Sequence, residues 1–255
     1  YGDHRDLHLS IRRQRQMCIR DSNNITVDFS GLRALDKVSL SVETNEILGL
    51  IGPNGSGKTT LLNVLGGQLK SNEGSVTKDS IDITTMPPRL RVKNGLARSF
   101  QIVRTFDSLS VFENVKSASL ITSKNNLEKN NYCNEIISYI GLNKIKNELA
   151  NTLNYGDRRR LEIARAMATS PDFLLLDEPA AGMNDNESEI LLNTLNAIPE
   201  KFNVGILIID HDMSLIMKLC HRLHVLESGK TIAEGSIESV KKHPEVIKAY
   251  LGKDF

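Results

Sequence analysis

The apolar run Glu46-Ile-Leu-Gly-Leu-Ile-Gly52 feeds without a break into Gly52-Pro-Asn-Gly-Ser-Gly-Lys-Thr-Thr60, and no other junction restricts the possible folds of the chain as much. A continuous apolar run is the pattern of a strand buried on both faces, as in a parallel sheet covered by helices. The segment after it fits G-x-x-x-x-G-K-[ST], a match expected by chance in roughly one chain of this length in a hundred. The chemistry of holding phosphate explains the spacing. Glycines permit backbone conformations that other residues resist, so the loop Gly52, Pro53, Asn54, Gly55, Ser56 and Gly57 can converge its N–H groups on phosphate oxygens at a helix start. The helix is predicted over Lys58 to Leu65. Lys58 would neutralise charge on the β and γ phosphates, and the Thr59 hydroxyl, with Thr60 beside it, would face a phosphate-bound Mg²⁺.

A phosphate loop is shared by kinases, GTPases, helicases and transport motors, so other segments must discriminate. Pro171-Asp-Phe-Leu-Leu-Leu-Asp-Glu-Pro179 reads as a second buried strand that ends in two carboxylates, at the end of a parallel sheet where ligands bind. Asp177 fits a role near Mg²⁺, and Glu178, pointing the other way off the strand, fits a general base that polarises the attacking water. Paired acids also end strands for purely structural reasons; the phosphate loop upstream favours the catalytic reading. A third buried strand, Val204 to Ile209, ends in Asp210-His211-Asp212, which puts His211 where it could bond a γ-phosphate. His4, His8, His221, His224 and His243 have no such placement and read as structural or surface residues. Between these strands, Leu153-Asn-Tyr-Gly-Asp157 opens a helix with Asn154 as cap and apolar residues at Leu161, Ala164, Met167 and Ala168. Upstream of the phosphate loop, Ile25, Val27 and Phe29 alternate, as do Val38, Leu40 and Val42, which reads as two antiparallel strands joined at Gly31.

Composition narrows the class further. With 40% hydrophobic and 25% charged residues in 255, the chain is a globular protein and not a disordered or low-complexity polymer. Its longest apolar stretches fall far short of the ~20 residues of a membrane-spanning helix, so any membrane role is peripheral. Thirty-two basic residues against thirty-one acidic give +1, which offers no bulk attraction to nucleic acid. Cys18, Cys133 and Cys220 are scattered, with no zinc-ligand spacing, and fit a reducing, cytoplasmic compartment. Residues 1–22 hold five of the fifteen arginines and no lysine, and Gln16-Met-Cys-Ile-Arg-Asp-Ser22 resembles translated sequencing-adapter read-through. This segment is read as non-native or disordered and set aside. Without it the count is 27 basic to 28 acidic, and the conclusion on nucleic acid stands.

The order of these motifs resembles the ATP-binding cassette family, the hydrolytic subunits of ABC transporters, over residues 24–255. The segment Leu153 to Asp157 is similar to the family's signature, Gln101 in Ala97-Arg-Ser-Phe-Gln101 to its Q-loop, Ala180-Ala-Gly-Met-Asn184 to its D-loop, His211 to its switch histidine and Phe29 to the aromatic that stacks on adenine. The resemblance implies an α/β phosphate-loop fold with a mainly parallel core sheet, an N-terminal antiparallel β subdomain, and a helical subdomain at about 102–170 inserted in the core. It implies ATP and Mg²⁺ as ligands, with Thr59, Gln101 and Asp177 near the metal and Lys58, Gln101, Glu178 and His211 in catalysis. Asn154 and Gly156 would contact the nucleotide held by the opposite subunit. The implied partners are a second cassette, identical or paralogous, the transmembrane permease subunits and, indirectly, an extracytoplasmic solute-binding protein, with the chain at the cytoplasmic face of the membrane.

The usual signature is Leu-Ser-Gly-Gly-Gln, and this chain departs from it with Asn154, Tyr155 and Asp157, losing the serine hydroxyl and gaining a negative charge. Arg158, Arg159 and Arg160 could offset Asp157 or face solvent, and at least two of them read as a surface charge run. Within the family, Ala97 to Phe106, Ser110-Val-Phe-Glu-Asn114, Arg159 to Arg165, Asp210 to Met213 and His243 to Gly252 together resemble the branched-chain amino-acid importer ATPases; urea and amide importers share much of this pattern. Helical patches at Val111 to Leu120 and Glu135 to Ile140 fit the helical subdomain. The face near Gln101 to Phe106 is where a permease would dock, unless Phe100 and Phe106 are core. A non-transport cassette would carry a second cassette or a long coiled coil, neither of which occurs here, and no guanine-reading Asn-Lys-x-Asp motif is present.

Overall fold

The computed structural model describes residues 18–99 and 104–250, with the side chains of 18–21 left out. It opens with two long strands, β1 (Cys18–Phe29) and β2 (Leu32–Glu43), paired antiparallel around the turn at Gly31. After β3 (Ile47–Ile51) and α1 (Lys58–Leu65), β4 (Glu73–Lys78) pairs with β1, and β5 (Ile81–Asp82) adds a short edge, giving an antiparallel sheet in the order β2-β1-β4-β5. The first strand starts at Cys18, ahead of the alternating residues Ile25, Val27 and Phe29 that marked it in the sequence. Ser22 is buried, pairs with Leu40 and Val76, and accepts a hydrogen bond from the Leu40 amide at 2.9 Å, so part of the segment set aside from the sequence is built into the sheet.

The core sheet is built on β3 and is completed by strands that follow α2 (Pro88–Lys93). Strand β6 (Leu96–Arg98) is followed by three helices, α3 (Val111–Ser119), α4 (Asn126–Tyr139) and α5 (Tyr155–Ala168). Then come β7 (Phe173–Asp177), α6 (Asp185–Phe202), β8 (Gly205–Ile209), α7 (Met213–Leu219) and the hairpin β9 (Arg222–Glu227) with β10 (Lys230–Ser236), closed by α8 (Ile237–Lys241) and α9 (Pro244–Tyr250). The strand order is β10-β9-β3-β8-β7-β6, parallel throughout except for β10.

Every residue of β3, β7 and β8 is buried, as continuous apolar runs require, and their alternate side chains feed two cores. Leu48, Leu50, Phe173, Leu175, Leu207 and Ile209 pack under α1 and the antiparallel sheet, against Ile25, Val27, Val38 and Leu61. Ile47, Ile51, Leu174, Leu176, Ile206 and Ile208 face the other way, toward α3 to α7. The helices over residues 104–170 pack on one another and share this second core; they have no separate one. With all the parallel strands ending toward one edge, the loops after β3, β7 and β8 meet there, which is where such sheets bind ligands.

Candidate active site

The loop after β3 needs glycine at two positions. Gly52 has φ 149, and a Cβ there would sit 2.0 Å from the Leu226 carbonyl oxygen; Gly57 has φ 102, and a Cβ there would sit 2.7 Å from Leu35 Cδ2 and 2.8 Å from the Ala34 carbonyl oxygen. Gly57 is also the N-cap of α1, and with no side chain capping that end and no acidic residue in the first turn, the helix presents bare N–H groups. Lys58, 8% exposed, donates from Nζ to the carbonyls of Gly52 (2.8 Å) and Pro53 (3.0 Å). Burial lowers its pKa, and Glu178 opposes that by favouring the charged form. The Ser56 hydroxyl is buried with no hydrogen-bond partner, an orphan that an entering phosphate oxygen would satisfy.

These groups open into a cleft of about 650 Å³ lined by Phe29, Asn54 to Thr60, Glu178 and His211. Phe29 is 46% exposed at the end of β1, a large aromatic left at the rim of the cleft. Sequence reasoning had not included Leu32, Arg33, Ala34, Ser228 and Gly229, which also line it. They arrive on the start of β2 and the β9–β10 turn, where Gly229 donates to the Ser56 carbonyl (3.0 Å) and Asp36 donates to the Gly229 carbonyl (2.8 Å). No local pattern marks them, because only the tertiary fold brings those segments to the loop.

At the far wall, Glu178 follows β7 with φ 48, a left-handed conformation rarely tolerated by a residue with a long side chain. Its N–H donates to the Ile209 carbonyl at 2.7 Å, and its Oε1 lies 2.9 Å from His211 Nε2, so the two expected catalytic groups are in direct contact. Asp177 points away from the cleft wall, as alternation dictates, and is 5% exposed. Its Oδ2 accepts from Arg98 Nη2 at 3.0 Å, and Arg98 also bonds Asn63 Oδ1 at 2.8 Å, which ties β6, β7 and the body of α1 together. Gln101, Phe100 and two following residues lie outside the described residues. Phe106 is half-exposed, under the Arg165 guanidinium at 4.6 Å from the ring centroid, and is not core.

Asn154 and Gly156 do not line this cleft. Asn154 caps α5 as the sequence indicated, its Oδ1 accepting from the Asp157 amide at 2.8 Å while its Nδ2 donates to Asp157 Oδ2 at 2.9 Å. The surface reading of the arginine run is corrected. Arg159 is fully buried, and Arg158 and Arg160 are half-buried and engaged, Arg160 with Asp157 and the Ile140 carbonyl, Arg158 with the carbonyls of Leu153 and Asn151. His221 and His224 are structural as expected: the first accepts from the Ile47 amide at 2.9 Å, and the second is buried beside Thr231.

Comparison with known proteins shows the family and the fold. The model of the family described as "ABC transporter" matches residues 35–181, and that of the "Branched-chain amino acid ATP-binding cassette transporter" family matches residues 230–255. The high-affinity branched-chain amino acid transport ATP-binding protein LivG of Salmonella typhimurium is 38% identical over 246 residues, covering 91% of this chain and 96% of LivG. Among solved structures, the ADP conformation of MJ1267, an ATP-binding cassette of an ABC transporter, superposes with a TM-score of 0.83 at 30% identity, over 93% of this chain and 99% of that one. The dimeric post-hydrolysis cassette MJ0796 bound to ADP and Pi gives 0.74 at 25% identity, over 85% and 98%. The chain belongs to the ATP-binding cassette family of ABC transporters, whose cassettes are the ATPases that power transport.

Proposed function

We propose that this chain binds ATP with Mg²⁺ in the cleft between Phe29 and Glu178 and hydrolyses it as half of a two-cassette machine that imports branched-chain amino acids. The observation that carries the reading is that Lys58, Glu178 and His211, far apart in sequence, line one cleft with the loop glycines. The likeness of the whole chain to LivG supports the solute. The adenine would stack on Phe29, and the loop N–H groups with Lys58 would hold the triphosphate, Lys58 exchanging its bonds to the Gly52 and Pro53 carbonyls for phosphate oxygens. Glu178 then takes a proton from the attacking water while His211, now its hydrogen-bond partner, is available to the γ-phosphate.

A divalent cation would enter with the nucleotide. Thr59 is exposed in the first turn of α1, and Asp177 is a buried carboxylate at the end of β7 that Arg98 holds; these two, with Gln101, would hold Mg²⁺, which would supply charge neutralisation at the phosphates when bound. Since Asn154 and Gly156 stand outside their own chain's cleft, a second cassette, a further copy or a paralogue, would bring its α5 start to the nucleotide from the opposite side. Among the described residues no helix is long and apolar enough to cross a membrane, so transmembrane permease subunits must supply the path, served by an extracytoplasmic solute-binding protein. The permease would dock near Phe106 at the cytoplasmic face.

The test is Glu178→Gln. It should bind ATP with wild-type affinity, stay associated in ATP by gel filtration, and lose turnover by about 10²–10⁴-fold, the usual worth of a general base. Hydrolysis near the wild-type rate in that variant removes Glu178 from the base role.

A further inference from the structure

We propose that Arg159 is a positioning residue that ties Glu178 to the start of α5, so that what happens at Asn154 to Gly156 sets the aim of the carboxylate in the same chain's cleft. The proposal rests on the hydrolytic reading above. The Arg159 side chain is wholly buried, and its guanidinium is spread over three consecutive carbonyls of the turn after β7: Nη2 donates to Asp177 O at 2.8 Å and Glu178 O at 2.6 Å, and Nε donates to Pro179 O at 3.0 Å. On its other edge Nη1 donates to Glu162 Oε2 at 2.8 Å, which balances the charge one turn along the same helix.

The turn that Arg159 grips is the strained one. Glu178 sits at φ 48, a conformation that persists only where the surroundings over-determine it, and its backbone is held from two sides, by Ile209 at the N–H and by Arg159 at the carbonyl. A planar fork of five donors suits several carbonyls at once, whereas a lysine ammonium is a single point of charge. Arg159 lies five residues beyond the N-cap Asn154, and within one α-helix those turns move as a body. Gly156 is pressed against the Glu187 carboxylate, close enough that a Cβ there would lie 2.6 Å from Oε1, and Glu187 in turn bonds the Asn184 amide at 3.1 Å. The start of α5 is thereby packed against both ends of the segment that follows Glu178. A nucleotide that engages Asn154 and Gly156 from the opposite cassette would shift α5, and the guanidinium would carry that shift to the Glu178 backbone.

Arg159→Ala would remove a buried partner of the Glu162 carboxylate and risks the fold, so the test pairs Arg159→Lys with Glu162→Gln, each measured on the full chain beside wild type. Arg159→Lys should lower kcat on the order of 100-fold, the cost of a misplacement near 1 Å, while KM and fluorescent-nucleotide affinity stay within about twofold. Glu162→Gln should lower kcat less, in the same direction, and amide exchange at 178–181 should rise in both variants with that of the phosphate loop unchanged. A purely structural arginine would lower thermal stability and leave kcat per folded molecule at the wild-type value, which overturns the proposal. A wild-type chain that binds Mg-ATP and never turns it over, whether paired with itself or with a paralogous cassette, overturns the hydrolytic reading as well, and is told apart by the silence of all three proteins.

Discussion

The starts of α1 and α5 are both glycine-bearing helix N-termini that the sequence marks as phosphate-facing, yet they are built in opposite ways. At α1 the cap is Gly57, no side chain accepts from the first N–H groups, and the first turn has no acid. At α5 Asn154 caps the helix and Asp157 occupies the first turn, bonded to both Asn154 and Arg160. An open helix end with a lysine beside it attracts an anion by itself; a capped end carrying a carboxylate has its dipole already answered. The difference teaches that the two helix starts are not equivalent: the first is open to an anion in its own chain, and the second, under the two-cassette proposal, would meet a nucleotide only when a partner brings it.

Four substitutions would break or sharpen that contrast, in decreasing order of effect. Lys58→Ala should weaken ATP binding by about 10- to 100-fold in a fluorescent-nucleotide titration, from the loss of charge-assisted bonds worth about 1.5–3 kcal/mol, whereas Asn154→Ala should leave single-chain binding unchanged. Gly57→Ala should cost about 1–3 kcal/mol in a denaturant melt, because φ 102 and the Leu35 and Ala34 contacts both oppose a Cβ. Asn154→Ala should cost about 1 kcal/mol of stability through the lost cap. Asp157→Asn should be the smallest, about 0.3–1 kcal/mol, and should tighten ATP-dependent association of two cassettes by a few-fold as the α5 dipole is freed; weaker association would show that Asp157 is needed as a carboxylate.

Much of this architecture was legible because it depends on local pattern. Helix α1 runs from Lys58 to Leu65 as expected, and β3, β7 and β8 fall inside the apolar runs that announced them. Burial on both faces writes itself into a sequence as an unbroken apolar run. What stayed hidden depends on partners distant in the chain. Arg159 reads as one charge in a run of three, because the carbonyls that bury it lie 18 to 20 residues later and converge only through the turn after β7. Arg98 gave no sign of meeting Asp177, 79 residues away. The early part of β1 carries no alternating apolar pattern, and the place of Ser22 between β2 and β4 depends on strands distant in the chain. Leu32 and Arg33, at the start of β2, and Ser228, in the β9–β10 turn, reach the cleft through segments whose sequences carry no nucleotide-binding pattern.

The central claim is that hydrolysis needs two cassettes because the Asn154–Gly156 start completes its partner's cleft and not its own. The most direct test is the ATPase rate per subunit as a function of protein concentration, with Mg²⁺, for the wild-type chain and Glu178→Gln. The account predicts a wild-type rate per subunit that climbs with concentration and a mutant rate near zero at every concentration. A wild-type rate per subunit that stays constant down to concentrations where the chain is monomeric would contradict it.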